Sequence, residues 1–171
     1  KSMHRRHRVW AAIDLEAFRS NLSIAQLTAK SAAVWPVLKA NAYGHGALPL
    51  AKVCEEERIS CIGIGNSSEA LEILAAGINT PLLVLGTVID AELPDLLAYD
   101  IQVGVHSEGR AKDLGRLAKE AGKTLGVHLK VDTGMGRLGV RPEAAVRAAQ
   151  AITAEPSLKL CGVMTHFSSP K

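Results

Sequence analysis

A regular alternation of short apolar segments with helical patterns constrains the fold of this chain more than any other feature. The apolar segments are WPVLK (35–39), ISCIGIG (59–65), PLLVLG (81–86), IQVGV (101–105), LGVHLKV (125–131) and LCGVMTHF (160–167). Between them, apolar residues recur at helical spacing. Parallel strands covered by helices on both faces are apolar nearly throughout, as these segments are. The alternation therefore predicts about six βα units around a parallel sheet.

Local signals predict where the helices begin and end. In SSEALEILAAG, Ser67 or Ser68 is a candidate N-cap and Gly77 follows the last turn, while Gly122 closes SEGRAKDLGRLAKEAG. Before the first unit, RVWAAIDLEAFRSNLSIAQLTA predicts a short strand and then a helix from about Leu15. No linker rich in Pro, Gly or Ser divides the 171 residues, which fit a single domain.

Polar residues at the strand ends distinguish a barrel from an open doubly wound sheet. They are Lys39, Asn66, His106, Lys130, Asp132 and His166. In a barrel, the C-terminal ends of all strands meet on one rim, where such enzymes keep their active sites. An open sheet gathers only the ends beside its switch point. We therefore predict an α/β fold of the (β/α)8 TIM-barrel type, incomplete here, with about six of its units.

The composition excludes several classes of partner. With 47% hydrophobic and 22% charged residues, the chain is typical of a globular protein with a sizeable core. The net charge of +3 is accounted for by KSMHRRHR, so residues 1–8 are interpreted as a basic arm or an engineered remnant before a barrel domain at 9–171. No basic stripe with interleaved aromatics continues this arm, which argues against nucleic acid. No apolar run approaches the ~20 residues that span a bilayer, and we expect no membrane partner.

The three cysteines predict a reducing cellular compartment. Cys54, Cys61 and Cys161 are odd in number, widely spaced and set mostly among apolar residues. This pattern favours buried free thiols in a cytoplasmic protein over disulfides or a zinc site. No histidine–carboxylate spacing suggests another metal site.

The segment VLKANAYGHG (37–46) holds the first candidate functional residue. Lys39 follows apolar residues, and burial would lower its pKa, as in the lysines that form Schiff bases with aldehydes. The alternative is a lysine whose ammonium group reaches water from a strand end. Tyr43 offers a hydroxyl donor, and Gly44 and Gly46 permit close backbone approach, so a phosphate could bind there. The spacing is that of neither a dinucleotide-binding nor a Walker loop.

The segment HLKVDTGMGRLG (128–139) holds a second candidate group. Strand alternation places His128, Lys130 and Asp132 on one face. Lys130 and Arg137 are like charges in what is expected to be a confined site, where Asp132 alone must offset both. The alternative is a charged cluster satisfied by its neighbours, with Arg137 as a solvated loop residue.

Besides His128, the predicted barrel domain holds three histidines. His166 ends VMTH and is either a structural hydrogen-bonding residue or part of the site. His45 and His106 are interpreted as structural.

VLKANAYGHG closely resembles the cofactor-attachment signature of alanine racemases, which are pyridoxal-phosphate enzymes with a (β/α)8 barrel and a separate C-terminal β domain. AAIDLEAFRSNL resembles the opening of that family, HLKVDTGMGRLG its fifth barrel strand and loop, and GVMTHFSS its sixth. The resemblance implies a cytoplasmic homodimer that racemises L-alanine and D-alanine and supplies D-alanine for peptidoglycan.

The resemblance also implies roles for individual residues. Lys39 would form a Schiff base with pyridoxal 5'-phosphate and act as one of two catalytic bases. Tyr43 would hydrogen-bond the cofactor phosphate, and Leu85 would pack beside the cofactor.

Further roles follow for the second group. Arg137 would reach the cofactor's phenolic oxygen and the substrate carboxylate, and a carbamylated Lys130 would hold Arg137 as an anion. His166 would join the polar network beside the cofactor and orient the second base.

The sequence ends at SSPK, directly after the sixth predicted strand. The resemblance therefore implies that two βα units and the C-terminal β domain, which carries the second base, are absent, and that these residues alone are inactive. Two alternatives remain open: a racemase of another small amino acid such as serine, and a non-enzymatic pyridoxal-phosphate-binding barrel. NAYGHG after Lys39 argues against the second.

Overall fold

The computed structural model, which describes residues 9–169, contains one parallel sheet. Its strands are β1 (Ile62–Ile64), β2 (Leu82–Val84), β3 (Gln102–Val105), β4 (Leu125–Lys130) and β5 (Leu158–Met164). They pair in chain order, β1-β2-β3-β4-β5, and each pair is parallel. An order without a switch point is the winding of a barrel rather than of a doubly wound sheet. The predicted incomplete barrel is confirmed.

The first predicted strand, 35–39, is reduced to a single bridge. Val37 pairs in parallel with Gly63 of β1. Lys39 already belongs to the next element, so the chain leaves the sheet after one bridged residue. The sheet therefore holds five strands and one bridge where six strands are predicted.

Seven helices accompany the sheet in the described residues. They are α1 (Leu15–Ala29), α2 (Lys39–Tyr43), α3 (Ala47–Glu56), α4 (Ser67–Ala75), α5 (Leu93–Ala98), α6 (Glu108–Glu120) and α7 (Ala145–Thr153). Two short 3-10 turns, Asp90–Glu92 and Pro142–Ala144, precede α5 and α7. α1 precedes the first sheet segment, and the other helices lie between sheet segments, as expected of βα units.

The helix ends agree with the sequence except at the N-cap of α4. The carboxylate of Asp14 accepts the N–H of Ala17 at 3.0 Å, and α1 begins at Leu15 as predicted. Residues 9–14 form no strand, and Trp10 is 77% exposed, so the predicted N-terminal strand is wrong. The predicted basic arm, residues 1–8, lies outside the described residues.

The N-cap of α4 is Asn66 rather than Ser67 or Ser68. The side-chain oxygen of Asn66 accepts the N–H of Glu69 at 3.0 Å. Ser67 is buried, and its hydroxyl donates to Glu92 at 2.5 Å, so it is not available as a cap. Gly77 and Gly122, which follow α4 and α6, adopt positive φ as the sequence signals predict.

The core lies where the strands meet the helices. Strand side chains and helix side chains that are at most 1% exposed fill it: Ile62, Ile64, Val84, Val103, Val105, Leu125, Leu129, Leu96, Leu114 and Ile152. β5 differs from the other strands. After the buried Leu158, its residues alternate between exposed and partly exposed, and Val163 is 64% exposed. In the described part of the chain, no further strand pairs with β5.

The three cysteines differ in exposure. Cys54 and Cys61 are buried free thiols, and burial raises the pKa of each to about 11. Cys161 is also free but exposed, because it lies on β5. The prediction of three buried thiols is therefore wrong for Cys161.

Two further findings concern residues 9–169 alone. None of their helices combines the length and the apolar character needed to cross a bilayer. No cluster of three His, Cys, Asp or Glu side chains in this range could hold a metal ion.

Candidate active site

A cavity of about 620 Å³ opens at the C-terminal ends of the strands. All six residues that the sequence assigned to a site line it: Lys39, Tyr43, Leu85, Lys130, Arg137 and His166. They come from α2, from the segments that follow β2 and β5, from the end of β4 and from the loop after it. The cavity thus gathers residues up to 127 positions apart onto one rim, as the barrel prediction requires.

Lys39 and Tyr43 are placed by a left-handed turn. Ala40, Asn41 and Ala42 of α2 have φ of 51° to 54° and ψ of 48° to 49°, and Tyr43 has φ of 54°. In a helical turn of this kind, residues four apart share a face, and the Lys39 ammonium nitrogen lies 5.8 Å from the ring centroid of Tyr43. The turn, and not a strand end, therefore sets the position of Lys39.

This turn is costly for residues other than glycine. Left-handed helical backbone costs L-residues roughly 1–2 kcal/mol each. Local hydrogen bonds hold it: the N–H of Ala42 donates to the Leu38 carbonyl at 2.8 Å, and the Asn41 side chain accepts the N–H of Ala47 at 2.7 Å. His45, which the sequence assigned a structural role, hydrogen-bonds the Ala42 carbonyl through Nδ1 at 2.9 Å.

Glu69, which no pattern in the sequence singled out, also contacts this turn. One of its carboxylate oxygens accepts the N–H of Ala40 at 2.7 Å, and the other accepts the N–H of Gly65 at 2.8 Å. An acidic residue in the first turn of a helix is common, because the helix dipole favours it there. The sequence thus gave no signal that the side chain reaches a segment 29 residues away.

Lys130 is the most deeply buried lysine of the cavity, with 7% of its surface exposed. Burial lowers its pKa, the positive charges of Arg137 and then Lys39 lower it further, and Asp132 opposes them. Within residues 9–169, its ammonium group has no carboxylate partner. Lys39, for which burial was expected, is only half-buried.

Asp132 does not join Lys130 in the cavity. Its Oδ1 atom accepts the N–H groups of Gly134 and Gly136, both at 3.0 Å. These hydrogen bonds hold the pKa of Asp132 below its usual range, and the N–H of Gly136 contributes more than that of Gly134. The predicted common face of 128, 130 and 132 ends at Lys130, because β4 ends there.

The loop after β4 folds back on the strand. Val131 pairs with Val140, and a Cβ atom at Gly139 would lie 2.6 Å from the backbone nitrogen of Asp132. Asp132 thus orders the loop that carries Arg137, and its charge offsets Lys130 only in part. Arg137 itself is exposed at the mouth of the cavity.

The floor of the cavity is neutral. His128 is buried, and burial lowers its pKa. Its Nε2 atom lies 2.6 Å from the side-chain oxygen of Gln102, which assigns the proton of the neutral ring to Nε2. The Trp35 ring meets His128 edge to face at 6.0 Å, and a Cβ atom at Gly162 would lie 2.9 Å from His128 Nδ1. The floor is therefore closed by packed side chains.

The two remaining histidines differ in position. His166 is exposed on the rim of the cavity. His106 does not line the cavity; burial lowers its pKa, and the charges of Arg110 and Lys130 add to this effect.

The charge of the cavity is positive. Lys39, Lys130 and Arg137 line it, and in the part of the chain that the structure describes no Asp or Glu side chain does. Such a cavity favours anionic ligands, because unpaired cations in a partly buried site are stabilised by opposite charge.

Comparison with known proteins identifies relatives over nearly the whole chain. The family described as "Alanine racemase, N-terminal domain" matches residues 13–171. The alanine racemase of Methanococcus maripaludis is 38% identical over 164 residues, which are 95% of this chain and 44% of that protein. This chain thus spans less than half the length of that relative.

Solved structures agree with the sequence relatives. The alanine racemase of Clostridium difficile 630 in complex with cycloserine superposes with a TM-score of 0.87 at 32% identity, over 96% of this chain and 46% of that chain. The histidine racemase of Leuconostoc mesenteroides superposes with a TM-score of 0.84 at 26% identity, over 92% of this chain and 42% of that chain. With the family match covering all but the first twelve residues, the chain belongs to the alanine racemase N-terminal domain family.

Proposed function

We propose that the protein is an alanine racemase, which interconverts L-alanine and D-alanine with pyridoxal 5'-phosphate. The convergence of Lys39, Tyr43, Lys130 and Arg137 on one positive cavity carries this proposal. In the cell, the reaction would supply D-alanine for peptidoglycan from a cytoplasmic homodimer. Residues 9–171 would be part of the barrel domain of that enzyme.

The cavity fits the cofactor in size and in chemistry. Its volume of about 620 Å³ lies within the roughly 300–1,000 Å³ of small-molecule sites. A half-buried primary amine, Lys39, can bind the aldehyde, and the excess of cations suits the phosphate. Leu85 supplies an apolar wall for the ring. When bound, pyridoxal phosphate would accept electrons from the α-carbon of the amino acid and so permit loss of its proton.

Lys39 and Tyr43 would act from the left-handed turn. The amine of Lys39 would hold the cofactor and then, once released from it, accept and return the α-proton on one face of the substrate. Tyr43 would donate its hydroxyl hydrogen to the phosphate. Because both residues share one face of α2, the attachment point and the phosphate contact are set by one backbone element.

Arg137 and Lys130 would act as a pair. Arg137, which is free to extend from the loop after β4, would bind the substrate carboxylate through parallel N–H donors. A buried amine with a lowered pKa has a larger neutral fraction, and the neutral form of Lys130 can add carbon dioxide with release of one proton. The resulting carbamate anion would hold Arg137 and remove the repulsion between the two cations. His166 would complete the polar rim.

Racemisation requires a base on each face of the substrate, and Lys39 serves one face. The tyrosines of this chain are Tyr43, which we assign to the phosphate, and Tyr99, which is 57% exposed and does not line the cavity. The resemblance to alanine racemases implies that this second base is a tyrosine of the C-terminal β domain, and we propose the same for this protein.

A racemase of another amino acid is the second candidate, because a histidine racemase shares the fold at 26% identity. Serine is the small-residue alternative. Incubation of the full-length protein and cofactor with L-alanine, L-serine and L-histidine, followed by chiral chromatography, separates these candidates. Fastest conversion of alanine supports the proposal, whereas faster conversion of serine or histidine reassigns the substrate.

A further inference from the structure

We infer that Glu69 is a positioning residue for Lys39, and the inference rests on the proposed function of Lys39. The carboxylate joins two backbone N–H groups from separate segments, Ala40 at 2.7 Å and Gly65 at 2.8 Å. Ala40 directly follows Lys39, and Gly65 directly follows β1. Glu69 thus ties the turn that carries the lysine to the end of the sheet.

The position of Glu69 is itself fixed. It lies in the first turn of α4, where Asn66 caps the helix by accepting the N–H of Glu69 at 3.0 Å. With its backbone capped and both oxygens engaged by backbone donors, the side chain has one arrangement that satisfies every partner. We call this arrangement of Glu69, Ala40 and Gly65 the carboxylate clamp.

The clamp acts where the turn most needs support. The first N–H groups of a helical turn have no partner within the turn, and Ala40 holds such a group. The residues from Ala40 to Tyr43 all have positive φ, a conformation that persists only when surrounding contacts enforce it. Glu69 supplies the enforcing contact on the residue next to Lys39.

Gly65 shows how closely the three segments approach. A Cβ atom at Gly65 would lie 3.0 Å from the Glu69 carboxylate and 3.3 Å from Cβ of Lys39. The stem of the lysine, the carboxylate and the strand end therefore converge on one backbone carbon. A shift of the clamp would move the base of the Lys39 side chain directly.

The clamp acts by geometry rather than by pairing charges. Within residues 9–169, Glu69 makes no ion pair with a lysine or an arginine. Both of its oxygens point at backbone donors instead. Replacement of Glu69 should therefore shift the position of the Lys39 side chain rather than remove an ion pair.

Glu69→Gln tests the clamp, because it keeps the side-chain length but offers one carbonyl oxygen to two N–H donors. Glu55→Gln is the matched control: Glu55 accepts the N–H of Asn79 at 2.7 Å, away from the cavity. Both variants are made in the full-length protein and studied well below their melting temperatures. The two readouts are hydrogen exchange at the amides of Ala40 and Gly65 without cofactor, and the concentration of pyridoxal phosphate that half-saturates borohydride-trapped labelling of Lys39.

For Glu69→Gln we expect faster exchange at Ala40 and Gly65, and a half-saturating concentration raised about tenfold or more, the size expected from one charge-assisted hydrogen bond. Glu55→Gln should leave both readouts at the wild-type values, even if it melts earlier. Unchanged labelling in Glu69→Gln, whatever its exchange rates, would overturn the inference. A wild-type protein that is never labelled at Lys39 would instead overturn the proposed function, and the role of Glu69 with it.

Discussion

Lys39 and Tyr43 stand on one face of a left-handed turn, with the ammonium nitrogen of the first 5.8 Å from the ring centroid of the second. Two residues proposed to hold the aldehyde carbon and the phosphate of one cofactor thus share a single backbone element. The fixed spacing between them depends on a conformation that L-residues adopt only at a cost.

Glycine at the end of this turn provides a test of that cost. Gly44 has φ of 86°, and a Cβ atom there would meet nothing within 4 Å, so Gly44→Ala should destabilise the fold by roughly 1 kcal/mol through backbone strain alone. Gly109 in α6 has equally open surroundings but no positive φ. Gly109→Ala should stabilise the fold by up to about 1 kcal/mol. Urea unfolding of both variants measures the difference, and a Gly44→Ala protein as stable as the wild type would contradict the left-handed turn.

Lys130 provides a test of the proposed carbamate. Lys130→Ala should lower racemase activity by about tenfold or more, because Arg137 would lose the anion that holds it. A short-chain carboxylate such as acetate should restore part of this activity in the variant. Lys52→Ala, which removes an exposed lysine outside the cavity, is the control and should respond to neither change. If acetate has no effect, Lys130 acts as a plain cation beside Asp132.

His128 predicts a direction for the pH dependence of stability. Burial lowers its pKa in the folded protein, so the unfolded chain binds more protons between that lowered pKa and about 6.5. The contribution of neutral His128 is therefore complete above about pH 6.5 and is lost as the pH falls through the folded pKa. His106, whose pKa is also lowered, adds a dependence of the same sign.

Urea unfolding at pH 7.5 and pH 5.5 measures this dependence. The wild type should be less stable at pH 5.5, and His128→Asn should lose less stability between the two values. The variant will be weaker at both values, because the contact with Gln102 is lost, so only the change with pH is diagnostic. If His128→Asn loses as much stability between the two pH values as the wild type does, the buried ring does not titrate as the structure implies.

These 171 residues by themselves are expected not to interconvert the alanine enantiomers, because Lys39 is their one assigned base. In deuterated water with pyridoxal phosphate, the polypeptide should slowly exchange the α-hydrogen of D-alanine with retained configuration and leave L-alanine untouched. D-alanine is the enantiomer that the family resemblance assigns to the lysine. Formation of the opposite enantiomer would show that the second base lies within this chain.

The sequence predicted which residues lie at the cavity better than it predicted the backbone that holds them. Lys39, Tyr43, Lys130 and Arg137 all line the cavity, because the barrel order brings the ends of the apolar segments together, while their roles stay predictions. The left-handed turn was missed, because its residues from Ala40 to Tyr43 are not glycines and carry no signal of positive φ.

The other errors have separate causes. Glu69 has the sequence context of an ordinary acidic residue in a first helical turn, and only the fold brings it to Ala40. Asp132 was placed in the cavity by strand alternation, but alternation stops where β4 ends and loop amides compete for the carboxylate. Cys161 was expected to be buried, because its sequence neighbours are apolar. They do not show that, within residues 9–169, no further strand pairs with β5.

Attachment of the cofactor tests the central claim most directly. The full-length protein is incubated with pyridoxal 5'-phosphate, reduced with borohydride and digested, and the labelled peptide is identified by mass spectrometry. We expect one pyridoxyl group, on Lys39, and no label in a Lys39→Ala variant. Label on Lys130 or another lysine, or none at all, would contradict the account.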